Sequence, residues 1–357
     1  MRLLSMRRML PNPLKIVVLV ALIGMMAGAA TEMEAQLAPS PDASPVSNAP
    51  PPKPEDENPV LTLKVDVNLV NLYFTVKDKS GTLVPHLTKE NCSVDEDKTA
   101  QTLKHFVAET NQPLTLGILI DTSGSQQRVL PLEKEFGAQF LNRILRKTDQ
   151  AFVANFDVNV DLLQDFSNSP RELERGMDKA EINAGVSFGS GPVGGANKGT
   201  VLYDAVYQAS TSKLGGETGR KAIIILTDGQ DEGSDHKIAE AIAAAQKSNV
   251  IIYGILIADR GQYGGFGLGY SGDFSLKKMS DETGGRMINV GNNGNKLQAA
   301  FSQIEDELRT QYVASYTPTN AKIDGSYRKI GVDCKSDKGD KLNVQVRKGY
   351  YALAAEE

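Results

Sequence analysis

Leu114-Thr-Leu-Gly-Ile-Leu-Ile-Asp-Thr-Ser-Gly-Ser125 is the stretch on which the fold turns. Leu114–Ile120 is almost uninterrupted apolar sequence, the composition of a strand at the centre of a sheet covered on both faces. One carboxylate and two hydroxyls follow at once, on Asp121, Ser123 and Ser125. In an open α/β sheet ligands gather at the carboxyl ends of the strands, so these three oxygens stand where a ligand is held.

Working downstream, strands and helices alternate. Leu132, Phe136, Phe140 and Ile144 recur at helical spacing, which predicts a helix over Leu132–Leu145. Ala151–Phe156 and Val158–Leu163 read as a hairpin across Asp157, so one strand should run antiparallel. Ser169-Pro170 opens a helix to Ile182. A Gly-rich loop, Gly185–Gly199, leads to a helix at Val201–Thr211. Lys221–Thr227 and Val250–Ile257 are further buried strands, separated by an Ala-rich helix at Asp235–Ser248. After a second Gly-rich loop (Gly261–Gly272) come a short helix, a strand at Arg286–Val290 and a long helix at Lys296–Arg309. This order predicts an α/β fold, a doubly wound, mostly parallel sheet with one antiparallel edge strand, over residues 112–309.

The flanks differ. Residues 60–111 carry short β segments, at Leu61–Val67, Val70–Val76, around Cys92–Val94 and at Leu103–Val107, with Asp78-Lys-Ser-Gly81 as a turn. Residues 310–353 return to β character at Tyr312–Tyr316, Tyr327–Cys334 and Leu342–Val346. Each set is too small to bury a good core alone. The expectation is that they pair into one small β-sandwich in which the α/β domain is inserted; two separate β appendages are the alternative. Cys92 and Cys334 are the only cysteines, and either a bond or two buried thiols fits the sequence.

At the N-terminus, Arg2, Arg7, Arg8 and Lys15 precede the apolar run Ile16–Ala30, which ends in small residues. This reads as a signal peptide over residues 1–35, with an uncleaved anchor as the only route to a membrane. Losing it removes four basic and two acidic groups and moves the net charge from −5 to −7. Eight prolines in residues 37–59 make residues 36–59 a stiff tether. The protein is expected to be exported, to the periplasm, the cell envelope or the medium. Its acidic balance argues against nucleic acid as a partner, and three His with two Cys leave no Cys/His zinc site and no Ser/His or Cys/His catalytic pair.

Two more polar groups should meet the first at the sheet edge. Gly199-Thr200 ends the Gly-rich loop, and Thr227-Asp228-Gly229 follows a buried strand. Taken singly, each has a plain structural reading as a helix cap or a turn. Together, Asp121, Ser123, Ser125, Thr200 and Asp228 make an all-oxygen set suited to a hard cation, Mg²⁺ first, with Mn²⁺ or Ca²⁺ as alternatives. Hydroxyl ligands leave such an ion electron-poor and ready to accept a carboxylate from a partner.

Ile118-Leu-Ile-Asp-Thr-Ser-Gly-Ser125, Gly199-Thr-Val-Leu-Tyr-Asp204 and Ile225-Leu-Thr-Asp-Gly229 resemble the three motifs of von Willebrand factor A domains with an intact metal-ion-dependent adhesion site. The resemblance covers residues 112–309 and implies that the same five residues are the metal ligands, some carboxylates acting through water, with Thr200 approaching the ion as the last helix shifts. The flanks, ending in Arg347-Lys-Gly-Tyr350, are similar to a bacterial subgroup of exported relatives; Asn91-Cys92 departs from the aromatic residue expected there. The function implied is a metal-dependent adhesion or scaffold module that grips an Asp or Glu of a protein ligand, without catalysis. The alternatives are an envelope structural protein with a vestigial site and a metal-dependent phosphoryl hydrolase, since an Asp after a buried strand also serves as a nucleophile. Asp157 and Asp204 read as structural, Asp231, Glu232 and Asp235 as an acidic rim, and Tyr263, Phe266 and Tyr270 as loop aromatics available to a partner. His86, His105 and His236 receive no role.

Overall fold

The structure is a computed structural model and describes residues 69–108, 112–183, 199–257 and 272–353. The expected leader, the tether, the Leu61–Val67 strand, Tyr263, Phe266, Tyr270 and most of both Gly-rich loops lie outside the described residues.

The chain starts in β sequence: β1 (Val70–Lys77), β2 (Cys92–Glu96), β3 (Thr99–Gln101) and β4 (Leu103–Ala108). Then comes β5 (Leu114–Asp121), every residue of which is buried, as its apolar run requires. After it follow α1 (Leu130–Ile144), β6 (Gln150–Phe156), β7 (Val160–Ser167), α2 (Pro170–Asp178), α3 (Leu202–Gln208), β8 (Arg220–Thr227), α4 (Ile238–Lys247), β9 (Val250–Leu256), α5 (Gly272–Thr283), β10 (Met287–Asn289) and α6 (Gly294–Arg309). The chain closes with β11 (Tyr312–Tyr316), β12 (Tyr327–Cys334), β13 (Asn343–Val346) and β14 (Gly349–Tyr351).

Six strands form the central sheet in the order β10-β9-β8-β5-β6-β7. All neighbours are parallel except β6 and β7. The antiparallel edge strand is therefore present, though it starts two residues later than the hairpin reading placed it. Alternate residues serve two cores. Ile118, Ile120, Ile224 and Leu226 pack with Phe140, Leu141, Phe301 and Ile304 from α1 and α6, while Leu119, Ile223 and Ile225 pack with Leu202, Val206, Ile242 and Leu276 from α3, α4 and α5. A strand with both faces covered has no polar face to show, which is why its sequence lacks alternation.

The buried face of α1 is rotated from the one its periodicity suggests. Leu130, Glu133, Gly137, Phe140, Leu141 and Ile144 are buried, whereas Leu132 and Phe136 are only partly so.

The flanking strands build two four-stranded sheets, β13-β1-β11-β4 and β14-β12-β2-β3. Each mixes strands from before and after the α/β domain: β1 pairs with β11 and β13, and β2 with β12. Leu72, Phe74, Tyr312 and Tyr316 from one sheet and Val94, Cys334 and Tyr350 from the other share a single core. The α/β domain is thus inserted in a small β-sandwich. Cys92 and Cys334 face each other across β2 and β12 and are disulfide-bonded.

Candidate metal centre

The register of β5 against β8 sets Ile120 opposite Leu226, so Asp121 and Thr227 end adjacent strands side by side. Asp121 is fully buried. Its Oδ1 accepts a hydrogen bond from the Ser123 amide at 2.9 Å and its Oδ2 accepts one from the Thr227 hydroxyl at 2.6 Å. These donors are neutral. Burial first, and the Asp228 charge second, push the Asp121 carboxyl up to about 7. The backbone after Asp121 turns back on itself, bringing the Ser123 and Ser125 hydroxyls to 3.0 Å from each other.

Asp228 is also buried, and its Oδ1 accepts the Gln230 amide at 3.0 Å. The next residue must be glycine. Gly229 has φ +80°, and a Cβ there would lie 2.2 Å from the Gly272 carbonyl oxygen, so the loop passes under the start of α5 with no room for a side chain. The Gly229 amide donates to the Thr227 hydroxyl at 2.9 Å, which ties the second loop to the same Thr that holds Asp121.

Thr200 reaches this edge through its backbone. Its carbonyl accepts the Glu232 and Gly233 amides at 2.9 and 3.2 Å, and the next amide, of Val201, donates to the Asp157 carbonyl at 2.7 Å. The segment is therefore stitched on one side to the loop after Asp228 and on the other to the end of β6. The structure brings the three sequence groups to one sheet edge. Asp157 and Asp204 take up local work beside them. Asp157 Oδ1 accepts the Asn159 amide at 3.1 Å. Burial raises the Asp204 carboxyl, but the Asp235 and His236 amides and the His236 ring outweigh it and hold it below the usual carboxylate range. His236, given no role from sequence, bonds Asp204 through Nδ1 at 2.7 Å and stacks on Tyr207. In the acidic rim, Asp231 accepts the Tyr203 amide at 3.0 Å.

Two residues of this edge were given no role by the motif reading. Thr227 is the shared anchor just described. Glu133, in the first turn of α1, is fully buried and neither of its carboxylate oxygens has a hydrogen-bond partner among the described residues. Burial raises its carboxyl well above the usual range, and the charges of Asp121 and Asp228 raise it further. Its sequence signal was weak, since an acid in the first turn of a helix is ordinary.

These residues fit a cation. Carboxylates crowd a buried edge, Asp121 is held there by neutral donors, and the buried Glu133 on which their charges act is unsatisfied; a divalent ion would supply the missing positive charge. Asp121, Ser123, Ser125, Thr200 and Asp228 provide only oxygen, the donor set of a hard ion. Among the described residues no three His, Cys, Asp or Glu side chains converge to ligate one ion by themselves. A cation on this edge would draw on the hydroxyls as well as the carboxylates.

A family model for the von Willebrand factor type A domain matches residues 116–303, more than half of the 357-residue chain. No curated protein matches the chain. Among solved structures, an aerotolerance-related membrane protein from Bacteroides fragilis is similar at 16% identity and a TM-score of 0.41, over 54% of this chain and 98% of that one. Proximal thread matrix protein 1 from the mussel byssus, with a zinc-occupied MIDAS motif, is similar at 17% identity and a TM-score of 0.43, over 60% and 50%. A von Willebrand factor type A protein from Catenulispora acidiphila is similar at 12% identity and a TM-score of 0.44, over 81% and 74%.

Proposed function

The chain belongs to the von Willebrand factor type A domain family, and from that premise we propose that it is an exported, non-catalytic binding module that takes a partner's Asp or Glu through one divalent cation. Asp121, Ser123, Ser125, Thr200 and Asp228 hold the ion, Mg²⁺ in the first instance. When bound, the ion supplies a Lewis-acid position open to one more oxygen ligand. Ser123, Ser125 and Thr200 are neutral donors, so they quench less of the ion's charge than carboxylates would and leave attraction for an acidic partner. Asp121 and Asp228 supply the negative charge that keeps the ion in place.

The observation that carries this reading is the stress on Asp121. A carboxylate buried against a second carboxylate, with neutral hydroxyl and amide donors of Ser123 and Thr227 as its partners, is costly unless a cation joins it. Export is supported by the basic and apolar leader in the sequence and by the Cys92–Cys334 bond, which belongs to oxidising compartments. Among the described residues no helix is long and apolar enough to cross a membrane.

Calorimetric titration with Mg²⁺, Mn²⁺ and Ca²⁺ tests the proposal. The wild-type chain should show one saturable site, and Asp121→Ala should abolish it. A chelator should release an acidic protein ligand captured from the exporting cell. Absence of cation binding in the wild type, or metal-independent turnover of a phosphate ester, would sink the reading.

A further inference from the structure

Other buried acids among the described residues are satisfied. Glu96 meets Arg328 at 3.1 Å and the hydroxyls of Tyr316 and Tyr350 at 2.8 Å each. Glu307 meets Lys77 at 2.7 Å and Arg286 at 2.6 Å. Asp149 accepts the Leu114 and Arg146 amides, both at 2.9 Å. Glu133 alone among these breaks the rule that a buried charge is paired.

Its place in the fold says what the missing partner is. β5 runs toward Asp121 and the chain turns directly into α1, so the first turn of α1 lies at the carboxyl edge of the sheet. Glu133 is on the buried face of that turn, in line with Leu130 and Gly137. That face packs on Ile118, Ile120 and Leu226, the strand ends that carry Asp121 and Thr227-Asp228. The Asp121 and Asp228 charges both act on its carboxyl. An apolar side chain would fill this position without the cost of desolvating an acid, a cost that the favourable helix dipole at the first turn only partly offsets.

We propose that Glu133 is a sixth protein group of the cation site: its carboxylate accepts hydrogen bonds from the ion's hydration water and adds a third negative charge to those of Asp121 and Asp228. Acting through water, it needs no direct bond to the ion, in keeping with the absence, among the described residues, of any three His, Cys, Asp or Glu side chains grouped to hold one directly. Outer groups of this kind orient inner ligands and tune affinity. With three carboxylates the site is neutral around a trivalent ion and carries one negative charge around a divalent one, so removing Glu133 weakens Tb³⁺ more than Mg²⁺.

The inference rests on the cation reading above, and one set of measurements separates the two. Mg²⁺ and Tb³⁺ titrations are run on wild type, Asp121→Ala, Glu133→Gln and Glu133→Met, with thermal melting of each in chelator and in Mg²⁺. Expected is a loss of roughly 10–100-fold in Mg²⁺ affinity for E133Q, the range for outer-shell partners, and a larger loss for Tb³⁺. E133M should melt above wild type in chelator, where an unpaired acid has become apolar, and gain less than wild type from Mg²⁺. If E133Q and E133M bind Mg²⁺ like wild type while D121A does not, the Glu133 role is wrong and the cation site stands. The role is equally wrong if both variants lose the same stability with and without Mg²⁺, since Glu133 is then a packing residue. If wild type itself binds none of these ions, both ideas fall.

Discussion

Asp121 concentrates the electrostatics of the sheet edge, and its titration makes a prediction with a definite sign. In the folded, cation-free chain its carboxyl sits at about 7, against an ordinary 3.8. Well below pH 4 the group is protonated folded or unfolded, and it costs nothing. Between pH 4 and 7 the unfolded chain ionises while the folded one resists, so stability is lost as pH rises and the loss is complete above about 7. The penalty is on the order of 4 kcal/mol from this one group. In chelator, Asp121→Asn should therefore gain melting temperature relative to wild type as pH is taken from 5 to 8. Mg²⁺ should reverse the order at pH 8, because the ion favours the ionised form. A D121N-minus-wild-type difference that stays flat across this window refutes the assignment. Asp121, Ser123, Ser125 and Asp228 stood out as proposed ligands because oxygen-bearing residues directly after apolar strands are conspicuous, and Thr200 because it ends a Gly-rich loop ahead of a helix. Thr227 stood in its motif without a role because it reads as the last residue of a strand, and Glu133 was hidden as an acid in a first helical turn, where acids are ordinary.

At the scale of elements, long buried strands read cleanly and amphipathic detail did not. Leu114–Ile120 and Lys221–Thr227 are seen almost as their composition predicts, since a strand covered on both faces needs an apolar run without polar alternation. The face of α1 was misjudged because apolar residues line both of its sides, and the partly buried Leu132 and Phe136 looked like core. The helix after Pro170 stops at Asp178 rather than Ile182. β14 was missed because Gly349-Tyr-Tyr351 is too short to show a period; its pairing with β12 makes it a strand. Between elements of the sandwich, Arg328 on β12 and Glu96 on β2 form a fully buried ion pair under Tyr316 and Tyr350. Removing one partner leaves the other charge stranded. Arg328→Met should cost about 3–5 kcal/mol in chemical denaturation, and the double variant Glu96→Met with Arg328→Met distinctly less than the two single losses added together. Additive losses would show that the two charges do not depend on each other.

For the whole molecule, the consequence of insertion is that the sandwich closes only after the α/β domain has been made. β1 finds its partners β11 and β13 across the full length of that domain, and the Cys92–Cys334 bond spans a sequence separation of 242. A loop of that size is expensive to close in the unfolded chain, so cross-linking its ends removes much of the unfolded state's freedom. Chain-entropy reasoning puts the stabilisation near 5 kcal/mol as an upper figure. The proposed cation site lies wholly within the inserted domain, on the loops after β5 and β8 and on the segment that leads into α3, and includes neither cysteine. Reduction should therefore lower the denaturation midpoint of the sandwich while leaving Mg²⁺ affinity unchanged under native conditions. Cys92→Ser with Cys334→Ser should reproduce both results without reductant. If the unbridged protein keeps its full denaturation midpoint, the sandwich is held by its core alone; if it loses Mg²⁺ binding as well, the inserted domain leans on the sandwich for its shape, and the two parts of the fold answer to one another more closely than their separate cores imply.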